Sequence, residues 1–374
     1  MTLRQRTFLA TGLLLASLCG LQAALSNKAK STSRDDLVRQ AIKDVVKMQE
    51  KEGEWPYEGV NRVKGEMPIG YRVGGTACVA DTLLCAAPDD QDAKEAVAKG
   101  LAFILKGLDD PLMTASTEDA YDVRVWGHSY ALEFLCHVRA AKAAGDKADK
   151  INEWIPKLVE ILIKEELPKG GWNYAGRRAP ASFVTAPVTQ ALLLARSQGE
   201  KVPDVVFERA RKVLEDCRGE DGAFAYSGAI KGREKDNFNQ LPGSAARSAV
   251  CETTLVLLGT GSTDAIQAAL DAFFKHWDEL EKRRRQKGTH EGPYRIAPYY
   301  FYYGHRYAAQ AIEMLPGKSR AKERDRLLEV ILKTRDEDGT WNDRVFDRSK
   351  NYGTAMVLLA LLGEKAQPPA KLTK

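Results

Sequence analysis

The chain has 374 residues, of which 44% are apolar and 29% charged, with 56 basic side chains against 51 acidic ones. That composition excludes a polytopic membrane protein, a collagen-like fibre and a mostly disordered chain, and it leaves material for one large core or two ordinary ones. A net charge of +5 over this length makes no electrostatic case for a nucleic-acid partner.

Arg4 and Arg6 precede an apolar run over residues 8–18 and then Leu21-Gln22-Ala23. This basic, apolar, small-residue order predicts a secretory signal over 1–23 with cleavage after Ala23, and hence a periplasmic or secreted protein. Residues 7–26 carry no charge, so an uncleaved membrane anchor is the alternative. Five further cysteines follow at wide spacing, Cys78, Cys85, Cys136, Cys217 and Cys251, which does not resemble a disulfide framework.

Beyond the leader the sequence reads as alternating helices of two kinds. Amphipathic, charged helices are predicted over 35–51, 92–106, 150–166, 204–217, 264–286 and 322–335. Each is followed by a more apolar one, over 74–87, 125–143, 182–198, 244–258, 298–314 and 351–362. Residues 364–374 form a flexible tail. The basic run Lys282 to Arg285 reads as a solvated helix end, and Asp89-Asp90-Gln91-Asp92 as a helix cap.

The loops inside the pairs repeat. Gln49, Gly53 and Trp55 open the series. Gly170 with Trp172, Gly222 with Phe224, and Gly339 with Trp341 keep the same glycine-to-aromatic spacing, and Gly292-Pro293-Tyr294 is a partial copy. In three copies a tyrosine follows two residues later: Tyr57, Tyr174 and Tyr226. The glycine supplies a turn at the end of the first helix, and the aromatic clamps one repeat to the next. A helix as apolar on all sides as 191–195 or 357–362 must be covered all round. Six pairs closed in a ring achieve this, giving an all-α (α/α)6 toroid.

Gln49-x-x-x-Gly53-x-Trp55 matches the repeat of squalene and oxidosqualene cyclases. The chain over 35–363 thus resembles the terpenoid cyclase and protein prenyltransferase α/α-toroid superfamily, in its prenyltransferase and squalene oxidase repeat form. The resemblance implies the fold more firmly than an activity. A cyclase would carry an Asp-x-Asp-Asp-Thr acid, but here only Asp81 and Thr82 match, with Cys78 and Ala80 in place of two carboxylates. A prenyltransferase would hold zinc through Asp, Cys and His. Cys251 and His305 stand on late inner helices, but Ala249 occupies the aspartate position. No cofactor is therefore expected.

In a ring, charged residues on inner helices are the informative ones. His128 and His305 fall on the second and fifth inner helices, across the ring from each other, and are candidate acid and base with Glu252 and Asp81. The alternative is that each imidazole bonds a neighbouring segment. Tyr299, Tyr302, Tyr303 and Tyr307 belong to the densest aromatic stretch and suggest an apolar or sugar-like ligand. Arg72, Arg124, Arg177, Arg178, Arg233, Arg295, Arg344 and Arg348 in the loops, with Arg247 on a helix, suggest a mouth for an anionic ligand. The leading functional expectation is an exported toroid that binds an apolar, glycan or anionic ligand or an envelope protein. It has no nucleic-acid partner and no membrane contact beyond the N-terminus. The second expectation is an enzyme using the cavity, either a polysaccharide lyase or hydrolase or an isoprenoid-handling transferase or cyclase.

Overall fold

The computed structural model describes residues 33–114, 123–174, 179–366 and 368–372. The predicted leader and Arg177 and Arg178 lie outside them. The chain divides into Met1–Gln40 and Ala41–Lys374. Of the first unit, the described residues open helix α1 (Arg34–Lys47), where Asp36 pairs with Arg39 at 2.5 Å.

Eleven more long helices follow. They are α2 (Ile69–Ala86), α3 (Gln91–Leu108), α4 (Arg124–Ala140), α5 (Ala148–Lys164), α6 (Ser182–Ser197) and α7 (Asp204–Cys217). After these come α8 (Leu241–Leu257), α9 (Thr263–Lys275), α10 (Tyr300–Glu313), α11 (Gly317–Leu332) and α12 (Lys350–Leu361). No strand is found among the described residues.

The odd-numbered helices bury one stripe. In α5 it is Ile151, Trp154, Ile155, Leu158, Val159 and Leu162, the spacing of a single helix face. The even-numbered helices are buried nearly throughout, and every residue of α10 is. Consecutive even helices pack side by side from α2 to α12, and α12 packs back on α2, so the inner ring closes. Helices α3, α5, α7, α9 and α11 lie outside it, each against the inner helix that precedes it. The (α/α)6 toroid expected from the polarity pattern is the observed fold.

The repeated loop shows why its residues recur. Glu50 donates its N–H to Glu54 O, and Gly53 donates back to Glu50 O, both at 2.9 Å. The same closed turn forms at Leu167–Gly171, Gly219–Ala223 and Asp336–Thr340. It requires φ of +92°, +95°, +83° and +88° at Gly53, Gly170, Gly222 and Gly339. A Cβ on Gly53 would also meet Lys99 O of α3 at 2.7 Å.

The tryptophan then ties three elements together. The indole N–H of Trp55, Trp172 and Trp341 donates to Val45 O, Leu162 O and Ile331 O, at 2.8, 2.6 and 3.1 Å. Each acceptor lies in the last turn of an outer helix, where carbonyls lack helical partners. Their backbone N–H groups donate to Thr76, Thr185 and Thr354 Oγ1 on the following inner helix. Phe224 has no ring N–H. There, buried Arg247 instead grips Phe224 O at 2.9 and 2.7 Å. Gln49 Nε2 links Gly53 O to Ala96 O of α3, joining neighbouring repeats.

Three details differ from the sequence expectation. Helix α2 starts at Ile69, five residues early, because its glycines serve close approach inside a helix: a Cβ on Gly74 would meet the Trp126 ring, and one on Gly75 Trp55 O. The predicted helix over 264–286 breaks at His276, after which Trp277 turns its indole to His305. The basic run is only half solvated: Lys282 and Arg285 are exposed, whereas Arg283 donates to Ile296 O and Gly288 O, and Arg284 pairs with Glu281 and stacks on Phe301. Arg285 pairs with Asp336 at 3.0 Å and donates its N–H to Asp343 O, which ties the run to the next repeat. The capping expectation is met by Asp90, which accepts from Ala93 N.

Gly53→Ala is expected to lower unfolding free energy by about 1–3 kcal/mol. Thr354→Val, which orphans the buried Trp341 N–H, is expected to cost a similar amount. Urea unfolding midpoints of the two variants check both.

Candidate functional site

Because outer and inner helices alternate along the chain, the inner-helix N-termini gather at one end of the ring. A cleft opens there, holding about 540 Å³ including its open mouth. One wall is an aromatic box. Tyr57 stacks on Tyr352 with centroids 4.0 Å apart, and Trp126 sits 6.1 Å from Tyr57 and 6.0 Å from Tyr71. The other wall centres on Phe183, with Tyr174 at 5.6 Å and Tyr299 at 6.2 Å. Tyr303 also lines the cleft, and Arg344 is its charged lining residue.

Most hydroxyls in the lining already have partners. Tyr303 donates to Phe183 O at 2.8 Å, and Tyr174 and Tyr226 share a 2.6 Å bond. Tyr57 donates to Asp343 Oδ2 at 3.2 Å. What the cleft offers a ligand is mainly ring faces.

Asp343 lies one hydrogen bond behind that lining and is fully buried. Burial pushes its carboxyl up to about 7, against the opposing pull of the Arg344 guanidinium. Its Oδ1 has no hydrogen-bond partner among the described residues. Sequence reasoning missed Asp343 as a site residue, yet a signal was present. It stands two residues after Trp341, the position that Tyr57, Tyr174 and Tyr226 hold in the other copies. The cleft residues Trp126, Phe183 and Tyr352 left no comparable trace, since aromatics on an apolar helix read as core.

The structure does not bring the four catalytic candidates together. His305 is fully buried, with Nε2 accepting from Trp277 Nε1 at 2.9 Å and Nδ1 bonded to Phe301 O at 2.7 Å. Both nitrogens are occupied in a neutral ring, and burial lowers its pKa to about 4. His128 is held by the Met113 backbone, and burial together with nearby Arg124 lowers it to about 4 as well. Glu252 pairs with Arg218 at 2.6 Å, and burial raises its carboxyl. Asp81 bonds His137 at 2.7 Å, in the C-terminal halves of α2 and α4, far along the helices from the cleft. Cys251 Sγ faces Ser182 O at 3.7 Å, so it and the doubly bonded His305 do not fit a shared zinc.

The aromatic candidates divide. Tyr299 and Tyr303 line the cleft. Tyr302 instead donates to Thr334 O, and Tyr307 meets Tyr130 at 3.0 Å beside Arg306. The arginines form no free anion funnel among the described residues. Arg72, Arg348 and Arg233 pair with Glu54, Glu50 and Asp236. Arg124 and Arg247 are buried, while Arg295 is exposed beside Phe238.

No family model and no curated protein sequence matches the chain. Solved structures do. The type II terpene cyclase MstE from Scytonema superposes with a TM-score of 0.54 at 14% identity, covering 89% of this chain and 98% of that one. The α-1,6-mannanase GH76A of Salegentibacter sp. HEL1_6 gives 0.56 at 12%, covering 88% and 99%. The Lin0763 protein from Listeria innocua gives 0.54 at 15%, covering 89% and 98%. The chain therefore has an α/α-toroid fold, which it shares with a terpene cyclase and a mannanase. At these identities the likeness is one of fold.

Between its ordinary value of 3.8 and about 7, folded Asp343 holds a proton that the unfolded chain has lost. Its contribution to stability is therefore complete below pH 3.8 and lost as pH rises toward 7. Asp343→Asn is expected to remove this decline, so that the difference in urea midpoint between variant and parent grows from pH 4 to pH 7 and is level above.

Proposed function

We propose that this protein is an exported toroid whose aromatic cleft binds an apolar molecule of isoprenoid or aromatic character. The observation that carries the reading is the cleft itself: two walls of ring faces open to solvent, with most of their hydroxyls bonded internally. A glycan would leave its hydroxyls without partners there, whereas an apolar chain needs only surface contact. The MstE cyclase has been solved with geranylgeranyl dihydroxybenzoate, which supports an apolar occupant for a cleft on this fold. Export rests on the basic and apolar order of residues 4–23.

A second reading, that the cleft is catalytic, is favoured by Asp343. A carboxyl that holds its proton near neutrality lies 3.2 Å from the Tyr57 hydroxyl at the lining; with that hydrogen bond reversed, the carboxyl O–H donates to the phenol oxygen as the phenol passes its own proton to a bound ligand. In this reading Asp343→Asn and Tyr57→Phe abolish turnover without weakening binding.

Half-buried Trp126 reports occupancy. Titrating the mature chain with geranylgeraniol is expected to change its fluorescence in a saturable way, with no response to mannotriose. Phe183→Ala is expected to weaken the binding by roughly tenfold. A saturable response to the oligosaccharide alone would replace the apolar reading with a glycan one. No response to either would remove the binding proposal.

A further inference from the structure

The C-terminal ends of the inner helices, opposite the aromatic cleft, carry a separate polar pocket of about 360 Å³. Its residues include Asp81 and Cys85 of α2, Glu133 and His137 of α4, Arg306 of α10, and Lys365. Asp81 and Cys85 stand four residues apart and so share one face of α2. His137 comes from α4, the inner helix packed beside it. One carboxylate oxygen, one sulfur and one ring nitrogen all lie within 4.8 Å of one another. Asp81 is buried, while Cys85 and His137 are partly open to solvent.

We infer that Asp81, Cys85 and His137 form a zinc-binding site with an open fourth position. Oxygen, thiolate sulfur and imidazole nitrogen are the donor set of a borderline-soft ion, and three protein ligands with one open place is the arrangement of a zinc site that keeps a water or ligand. Ligand atoms around one tetrahedral zinc are roughly 3.5 Å apart, a small adjustment from the separations here. The ion takes the place of the proton now shared by His137 Nδ1 and Asp81 Oδ1 at 2.7 Å.

Charge also balances. A divalent ion with one carboxylate, one thiolate and a neutral imidazole sums to zero. The neighbouring Glu133–Arg306 pair, at 2.8 Å, is already neutral, and the remaining charge at the pocket is the exposed Lys365 ammonium. Lys365 Nζ lies 3.3 Å from Cys85 O at the rim of the pocket, while burial and the nearby Asp81 and Glu133 carboxylates hold the Cys85 thiol protonated, so the ion must displace that proton. Metal binding then releases the thiol proton and the shared His137 proton to solvent. Glu133 and Gln310 line the same pocket.

Cobalt(II) added to the purified full-length mature chain tests this. The expected result is one cobalt per chain, a thiolate-to-cobalt charge-transfer band, the visible spectrum of four-coordinate cobalt, and displacement by zinc. Cys85→Ser should abolish the charge-transfer band, and His137→Gln should weaken cobalt binding by roughly tenfold or more. Cys78→Ser should leave both unchanged. Circular dichroism of each variant separates lost binding from lost folding, and Asp81→Asn provides a further ligand variant should one of the others not fold. Absence of stoichiometric cobalt binding, or a band that survives Cys85→Ser in a folded chain, would overturn the site and leave Asp81–His137 as an ion pair between helices.

Discussion

An inner helix without a polar face has no surface on which water is tolerable, and six of them in one chain must shield one another. A ring is the arrangement in which each has two inner neighbours and an outer helix at its back. The contact of α12 on α2 is therefore the constraint on which the architecture depends. Without it two apolar flanks would face solvent. The recurring loops hold the spacing around the ring. Tryptophan side chains reach back to the end of one helix while their backbone engages the next, so every copy sets the distance between an outer helix and the inner helix that follows.

That same construction creates the site. The alternation of outer and inner helices brings the loops before the inner helices to one end. Two residues after the loop aromatic, Tyr57 and Tyr174 line the mouth, Tyr226 bonds Tyr174, and Asp343 lies buried behind Tyr57. The mouth is thereby aromatic with one buried carboxyl behind it. The other pocket gathers the later parts of α2 and α4 with Arg306 and Gln310 of α10, and what collects there is polar: Asp81, Cys85, Glu133, His137, Arg306 and Gln310. One fold therefore presents two chemically different surfaces, and between them buried Tyr130 and Tyr307 bond each other at 3.0 Å. Superpositions on both a terpene cyclase and a mannanase show the same fold in proteins of different activity.

The amino-acid sequence by itself determined the number and kind of helices, the position of the positive-φ glycines and the closure of the ring. These are local or periodic properties: the polarity of a helix and the spacing of Gly53, Gly170, Gly222 and Gly339 can be counted along the chain. Side-chain partners cannot. His128 and His305 look alike on the page as lone imidazoles on apolar helices, yet one rests on Met113 and the other between Trp277 and Phe301. Arg247 reads as a ligand-facing charge and is the substitute for a missing indole N–H. Asp343 reads as one loop acid among several and is wholly buried. Only the tertiary structure decided these roles, because the partners of a buried polar group come from other repeats, and which atoms meet depends on how neighbouring helices are rotated and offset, a quantity that no single repeat encodes.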